Sequence, residues 1–166
     1  MNQNVTSYIP KAARDQVLQL LNDDRLQVVI KKARKTRHGD YTKRSNGHHQ
    51  ITVNSNLNPY RFLVTLLHEI AHYEAYKSFG VHVRPHGKEW KLTFQRLALP
   101  FLNPEIFPAQ ILPFLAHYFK NPKASSDSDI LLSRSLKQFD PPNEKTYIYE
   151  IAEGTHFKTS NGKIFC

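Results

Sequence analysis

Leu66-Leu67-His68-Glu69-Ile70-Ala71-His72-Tyr73 is the stretch on which the reading of this chain turns. Two histidines four residues apart lie one turn apart on the same face of a helix. So placed, two imidazoles can grip one metal ion. Glu69 then projects beside that ion and can hold a water without becoming a ligand. The reading needs a helix under residues 68–72 and a third ligand from elsewhere. The helix is well marked. Asn58 is a suitable N-cap, Pro59 fits the first helical position, and Gly80 follows the last periodic residue as a C-terminal stop. Phe62, Leu63, Leu66, Leu67, Ile70 and Ala71 recur at helical spacing on a broad apolar face. The expected helix runs from Pro59 to Phe79, about 30 Å, with the histidine pair near its middle.

Candidates for the third ligand are His82, His86 and His117, and the acids Glu74, Glu89 and Glu105. His86 is the choice made here. It follows a helix stop and a short loop, Val81 to Pro85, so the chain can turn back toward the first helix. It also opens a second long helix, expected from near His86 to Leu99, which buries Trp90, Phe94 and Leu97 before Pro100. Gly87 beside it allows close backbone approach. A catalytic zinc site takes three protein ligands and keeps a fourth position for water. The longer H-E-x-x-H-x-x-G-x-x-H pattern is absent, because Ala75-Tyr76 stand where its glycine region would fall.

Upstream, residues 10–22 read as a helix, with Pro10 in its first turn and Val17, Leu18 and Leu21 as an apolar stripe. Strands are expected at Leu26 to Lys32, at Tyr41-Thr42 and at His49 to Asn54. They are separated by turns at His38-Gly39-Asp40 and Ser45-Asn46-Gly47. The pattern is an α+β chain with an N-terminal helix, a small antiparallel sheet and two long active-site helices. Downstream, residues 104–120 suggest one or two short helices, and Asn121 to Asp129 has the composition of a linker. A short helix at Ile130 to Gln138 follows. Strands at Tyr147 to Ile151 and Thr155 to Cys166, with a turn at Ser160-Asn161-Gly162, make a C-terminal hairpin. The expected division is a domain over residues 1–120 and a linker, short helix and hairpin over 121–166. The apolar end, Lys163 to Cys166, reads as a truncated or incomplete tail.

At 166 residues the chain can bury a real core without staples. No run is long enough to span a bilayer, and Met1 to Lys11 has neither the basic leader nor the apolar core of a secretory signal. The single cysteine, Cys166, rules out an internal disulfide framework or a cysteine-rich zinc site built from this chain alone. These features point to the cytoplasm. A net charge of +9 favours a polyanionic partner, of which nucleic acid is the commonest. The charge concentrates in Lys31, Lys32, Arg34, Lys35, Arg37, Lys43 and Arg44, with Asp40 the one acid among them and His38, His48 and His49 nearby. On a hairpin these cations would line a ribbon that contacts phosphates without reading sequence, and Tyr41 could stack on an unpaired base. The plainer alternative is an edge strand kept soluble by lysines.

LLHEIAHYEAY followed by PHGKEW resembles the SprT-like family of zinc metalloproteases, which includes the Spartan proteases. The preceding helix, short sheet and ITVNSNLN agree, so the resemblance covers roughly residues 8–120 and continues more weakly through 121–166. It implies a zincin-like minimal metalloprotease fold, one zinc ion held by His68, His72 and His86, and Glu69 as general base. It also implies a protein substrate and an association with DNA, single-stranded or damaged, since eukaryotic members cut proteins covalently trapped on DNA. Many relatives add a cysteine-bearing, zinc-ribbon-like segment at the C-terminus; this chain has only Cys166 there.

The expected function is therefore zinc-dependent endopeptidase action, with a metal-activated water and a glutamate base, on DNA-associated proteins. Two other readings compete. One is a nucleic-acid-binding module whose zinc is structural or whose site is silent, against which Glu69 argues, because a purely structural site has no need of it. The other is hydrolysis of a non-protein amide.

Overall fold

The computed structural model describes residues 3–141, 151–159 and 162–165. After a 3-10 stretch at Gln3–Tyr8, the chain enters α1 (Arg14–Leu20) through a short 3-10 turn at Lys11–Ala13. Pro10 precedes that turn with extended backbone, as its fixed φ and missing N–H allow. Three strands follow: β1 (Leu26–Lys31), β2 (Gly39–Lys43) and β3 (His49–Asn54).

The sheet differs from the expected antiparallel one. Its order is β1-β3-β2, with β3 pairing parallel to β1 and antiparallel to β2. The tight turn after β2, with Gly47 at φ 80°, does make a β2–β3 hairpin, as the Asn-Gly pair signals. That hairpin then inserts β3 between β1 and β2. Residues 51–54 of β3 are all buried, as a central strand requires, whereas β1 alternates at its start between buried Leu26 and Val28 and exposed Gln27. Local strand propensity carries no information about this order.

The centre of the molecule is α2 (Pro59–Phe79). The Asn58 side chain accepts hydrogen bonds from the Tyr60 and Arg61 N–H groups, and Pro59 sits in the first turn. Residues 61–71 are buried without interruption. That part of the helix is thus enclosed on all sides, with β2 and β3 against one part of its surface and α3 (Lys88–Ala98) against another. Such a helix is a core element rather than an amphipathic surface one.

After α3 a 3-10 turn spans Leu99–Phe101. Of residues 104–120, only α4 (Leu112–Lys120) is regular helix. Pro104 and Pro108 lie in the stretch before it, where their missing N–H groups favour turns over helix. The expected linker is anchored. It holds a 3-10 turn at Ser126–Ser128 and leads into α5 (Ile130–Lys137), whose Leu132 and Leu136 are fully buried in the same core as α2. The last described elements, β4 (Phe157–Lys158) and β5 (Ile164–Phe165), form an antiparallel pair with stacked Phe157 and Phe165 rings. Residues 147–150 of the strand expected at Tyr147–Ile151, and residues 160, 161 and 166, lie outside the described residues. No helix among the described residues is long and apolar enough to cross a membrane.

Candidate metal centre

His68 and His72 project from successive turns of α2, and their Nε2 atoms lie 3.3 Å apart. The third nitrogen comes from a turn. Arg84-Pro85-His86-Gly87 is closed by the Gly87 N–H donating to the Arg84 carbonyl at 2.9 Å. Proline stands at its second position, and His86 at its third has φ 60°. This is the sequence and backbone of a type II turn, whose third position calls for positive φ and normally for glycine. His86 is the only non-glycine residue with positive φ among the described residues. The turn carries its Nε2 to 3.0 Å from that of His68 and 3.1 Å from that of His72.

Three imidazole nitrogens facing one another cannot satisfy themselves. Each neutral Nε2 is either a donor or an acceptor, so among three at least one pair must meet like with like. A cation at their centre removes that conflict. Nitrogens bound at about 2.0–2.1 Å in a tetrahedral shell are about 3.3 Å apart, close to the separations seen here. Burial, with smaller contributions from neighbouring imidazoles, pushes His68 down to about 2 and His72 to about 3, and burial lowers His86 as well. The rings are therefore neutral, the form that ligates a metal. His68, His72 and His86 together can hold a metal ion. Among the other candidates, Glu74 is paired with Lys77, and His82, His117, Glu89 and Glu105 are not part of the cluster.

Trp90 provides a shared floor. Its ring centroid lies 4.6 Å from that of His68, 5.1 Å from that of His72 and 4.8 Å from that of His86. One fully buried indole on α3 thus backs all three rings. From sequence, Trp90 reads only as a core residue.

Glu69 lines the same cavity of about 280 Å³ as the three histidines, together with Gly39, Asp40 and Tyr41 of β2, Pro85 and Ala124. Burial, reinforced by Asp40, pushes its carboxyl up to about 8 against the pull of Arg34 and Arg37. Gly39 makes room for that carboxyl. A Cβ on Gly39 would stand 2.7 Å from Glu69 Oε1 and 2.7 Å from Thr65 Cγ2. The absence of a side chain there is what lets the edge strand lie against Glu69. From sequence His38-Gly39-Asp40 reads as a turn, whereas Gly39 opens β2; a glycine inside a strand is the signal of close approach that flags such a position.

The basic residues do not form one ribbon. Lys31 pairs with Asn54 at one end of β3, and Lys43 pairs with His49 at the other, about 17 Å away at the rise of a strand. Arg34 is held by Asn54 Oδ1 at 2.8 Å, Arg37 by Asp40 at 3.0 Å and Arg44 by Gln50, while Lys43 lies over the Tyr76 ring. Lys31, Lys32 and Lys35 are exposed at the end where Arg37 and His38 line a cavity beside Glu69. Tyr41 is not presented for base stacking. Its ring is parallel to that of His72 at 6.1 Å, and its hydroxyl lies 2.8 Å from His49 Nδ1.

The model of the SprT-like family matches residues 8–107, a span from α1 through the sheet, α2 and the His86 turn to the end of α3 and the turns beyond it. No curated protein and no solved structure matches the chain significantly.

Proposed function

The chain belongs to the SprT-like family, and on that premise we propose that it is a zinc-dependent endopeptidase acting on DNA-associated proteins in the cytoplasm. One observation carries the reading: three Nε2 atoms converge within 3.0–3.3 Å while the carboxyl of Glu69 lines the same cavity. Three imidazoles suit zinc better than harder divalent ions. A zinc ion held by His68, His72 and His86 supplies Lewis acidity, which acidifies a water and polarises a carbonyl. Glu69 takes a proton from the attacking water. The water oxygen bonds the carbonyl carbon, the C–N bond breaks, and Glu69 returns the proton to the departing nitrogen. Gly39 leaves room for the Glu69 carboxyl, and Trp90 backs the three rings.

The DNA part of the proposal is supported by the net charge of +9 and by exposed Lys31 at the end of β1 and Lys32 and Lys35 on the loop that follows. Contacts of this kind address phosphates, so affinity should fall steeply with salt. The single cysteine fits a reducing compartment.

The test combines metal analysis with proteolysis of a DNA-bound protein, with and without single-stranded DNA, for wild type and Glu69→Gln. About one zinc per chain is expected in both, with cleavage by wild type only and stimulation by DNA that fades with salt. Equal cleavage by the variant removes Glu69 from its role. Binding of DNA without cleavage by either protein supports a binding module instead.

A further inference from the structure

A second cavity, of about 160 Å³, opens beside the metal centre. His68 and Glu69 stand at its edge, but His72 and His86 do not line it. It extends one turn toward the start of α2, to Val64 and Thr65, and Tyr118 of α4 and Ala124 close it. Tyr118 and Ala124 lie beyond the residues matched to the family. The segment bearing Ala124 is a strap pinned at both ends. The Tyr118 hydroxyl donates to the Lys123 carbonyl at 3.1 Å. Asp127 is paired with Arg61, which is only 6% exposed on α2, and with His38 Nε2 at 2.5 Å, on the residue before Gly39. One carboxylate therefore ties the strap to both sides of the cleft.

We propose that this cavity receives the side chain of the substrate residue that supplies the leaving amine, and that Asp127 is a positioning residue that sets the cavity's width. The inference rests on the peptidase reading. Because Glu69 returns its proton to the departing nitrogen, that residue lies on Glu69's side of the scissile bond. The cavity next to Glu69 and away from His72 and His86 is on that side. Its size selects the occupant: a void of about 150 Å³ takes up a benzene ring. Leucine, methionine and phenylalanine side chains fit, tryptophan does not, and alanine leaves the space unfilled. Val64, the Thr65 methyl and the Tyr118 ring favour an uncharged group; Arg37 and His38, which also line the cavity, are already paired with Asp40 and Asp127, and a carboxylate would face Glu69.

The probes are peptide hydroxamates that chelate the metal and carry Ala, Leu, Phe or Trp next to the chelating group. Binding is measured by calorimetry on zinc-loaded Glu69→Gln, so no turnover is needed. Leu and Phe should bind about tenfold or more tighter than Ala, as burial of a large apolar side chain requires, and Trp no better than Ala. Ala124 is exposed, so Ala124→Leu should fold; it should bring the Leu-to-Ala ratio close to one. Asp127→Ala should lower that ratio severalfold, and Asp127→Asn should restore part of it. A ratio unchanged by Ala124→Leu, or wild-type binding that ignores side-chain size, overturns the cavity assignment alone. Failure of every hydroxamate to bind the loaded protein overturns the peptidase reading with it.

Discussion

At the scale of single residues, the site depends on two positions with opposite demands on the side chain. Gly39 must have no side chain, because Glu69 and Thr65 crowd the space a Cβ would take. His86 has a side chain where the turn would prefer none. An L-residue in the left-handed region costs about 1–2 kcal/mol relative to its ordinary conformation, which metal binding through the imidazole would offset. His86→Gly and His86→Ala should both lose the metal. In chelator, however, the glycine variant should be more stable than the alanine variant by about 1 kcal/mol, since alanine keeps the strain. Urea unfolding of the two metal-free variants measures the difference. Equal stabilities would mean that the turn relaxes freely and that His86 is not held under strain.

At the scale of elements, α2 both carries His68 and His72 and forms the centre of the core. Its start is fixed by Asn58, buried at 4% exposure. The Asn58 side-chain oxygen caps the helix, and its Nδ2 donates to the Leu136 carbonyl at 2.9 Å and to Asp140 at 2.6 Å. One side chain thus joins the start of α2 to the end of α5. Loss of a cap costs about 1 kcal/mol, and loss of hydrogen bonds to buried partners about as much again. Asn58→Ala should lower stability by about 2 kcal/mol and the melting temperature by roughly 4–8 °C for a chain of this size. A shift below about 2 °C would show that α5 is not held through this residue. The other end of α2 is tied down by Asp23, which accepts from the Tyr73 hydroxyl at 2.6 Å and pairs with Lys77 at 3.3 Å.

For the molecule as a whole, these carboxylates set the response to acid. The Tyr73 hydroxyl, then the Arg25 backbone N–H, hold Asp23 well below the usual carboxylate range. The hydrogen bond from His38, with Arg61 adding to it, brings Asp127 down to about 2. In the unfolded chain both take up protons near pH 4, while the folded chain resists. Their stabilisation is therefore complete above about pH 4 and is lost as pH falls toward the folded values. The midpoint of urea unfolding should fall more steeply below pH 4 in wild type than in Asp23→Asn. Comparing the two proteins cancels the histidines and Glu69, which titrate in both. Parallel curves would remove Asp23 from the acid response.

What the sequence determined is what is local. The helix at Pro59–Phe79 has the bounds that its cap, proline and glycine give it, because capping and helical spacing act within a few residues. The placement of His68 and His72 on one face follows from that helix alone. The α+β class and the turn at Asn46-Gly47 were legible for the same reason. Only the tertiary structure decided how distant segments meet. Strand order depends on which edges pair, so β3 enters between β1 and β2 and the basic residues divide between the sheet's two ends. The strap at 123–127 looked like a linker because its composition is polar; Arg61, buried 66 residues upstream, and His38 make it a wall. His86 was a choice among six residues until the turn fixed its φ and brought its ring onto the other two. Pairing, burial of charge and convergence of side chains are non-local, and no stretch of sequence specifies them alone.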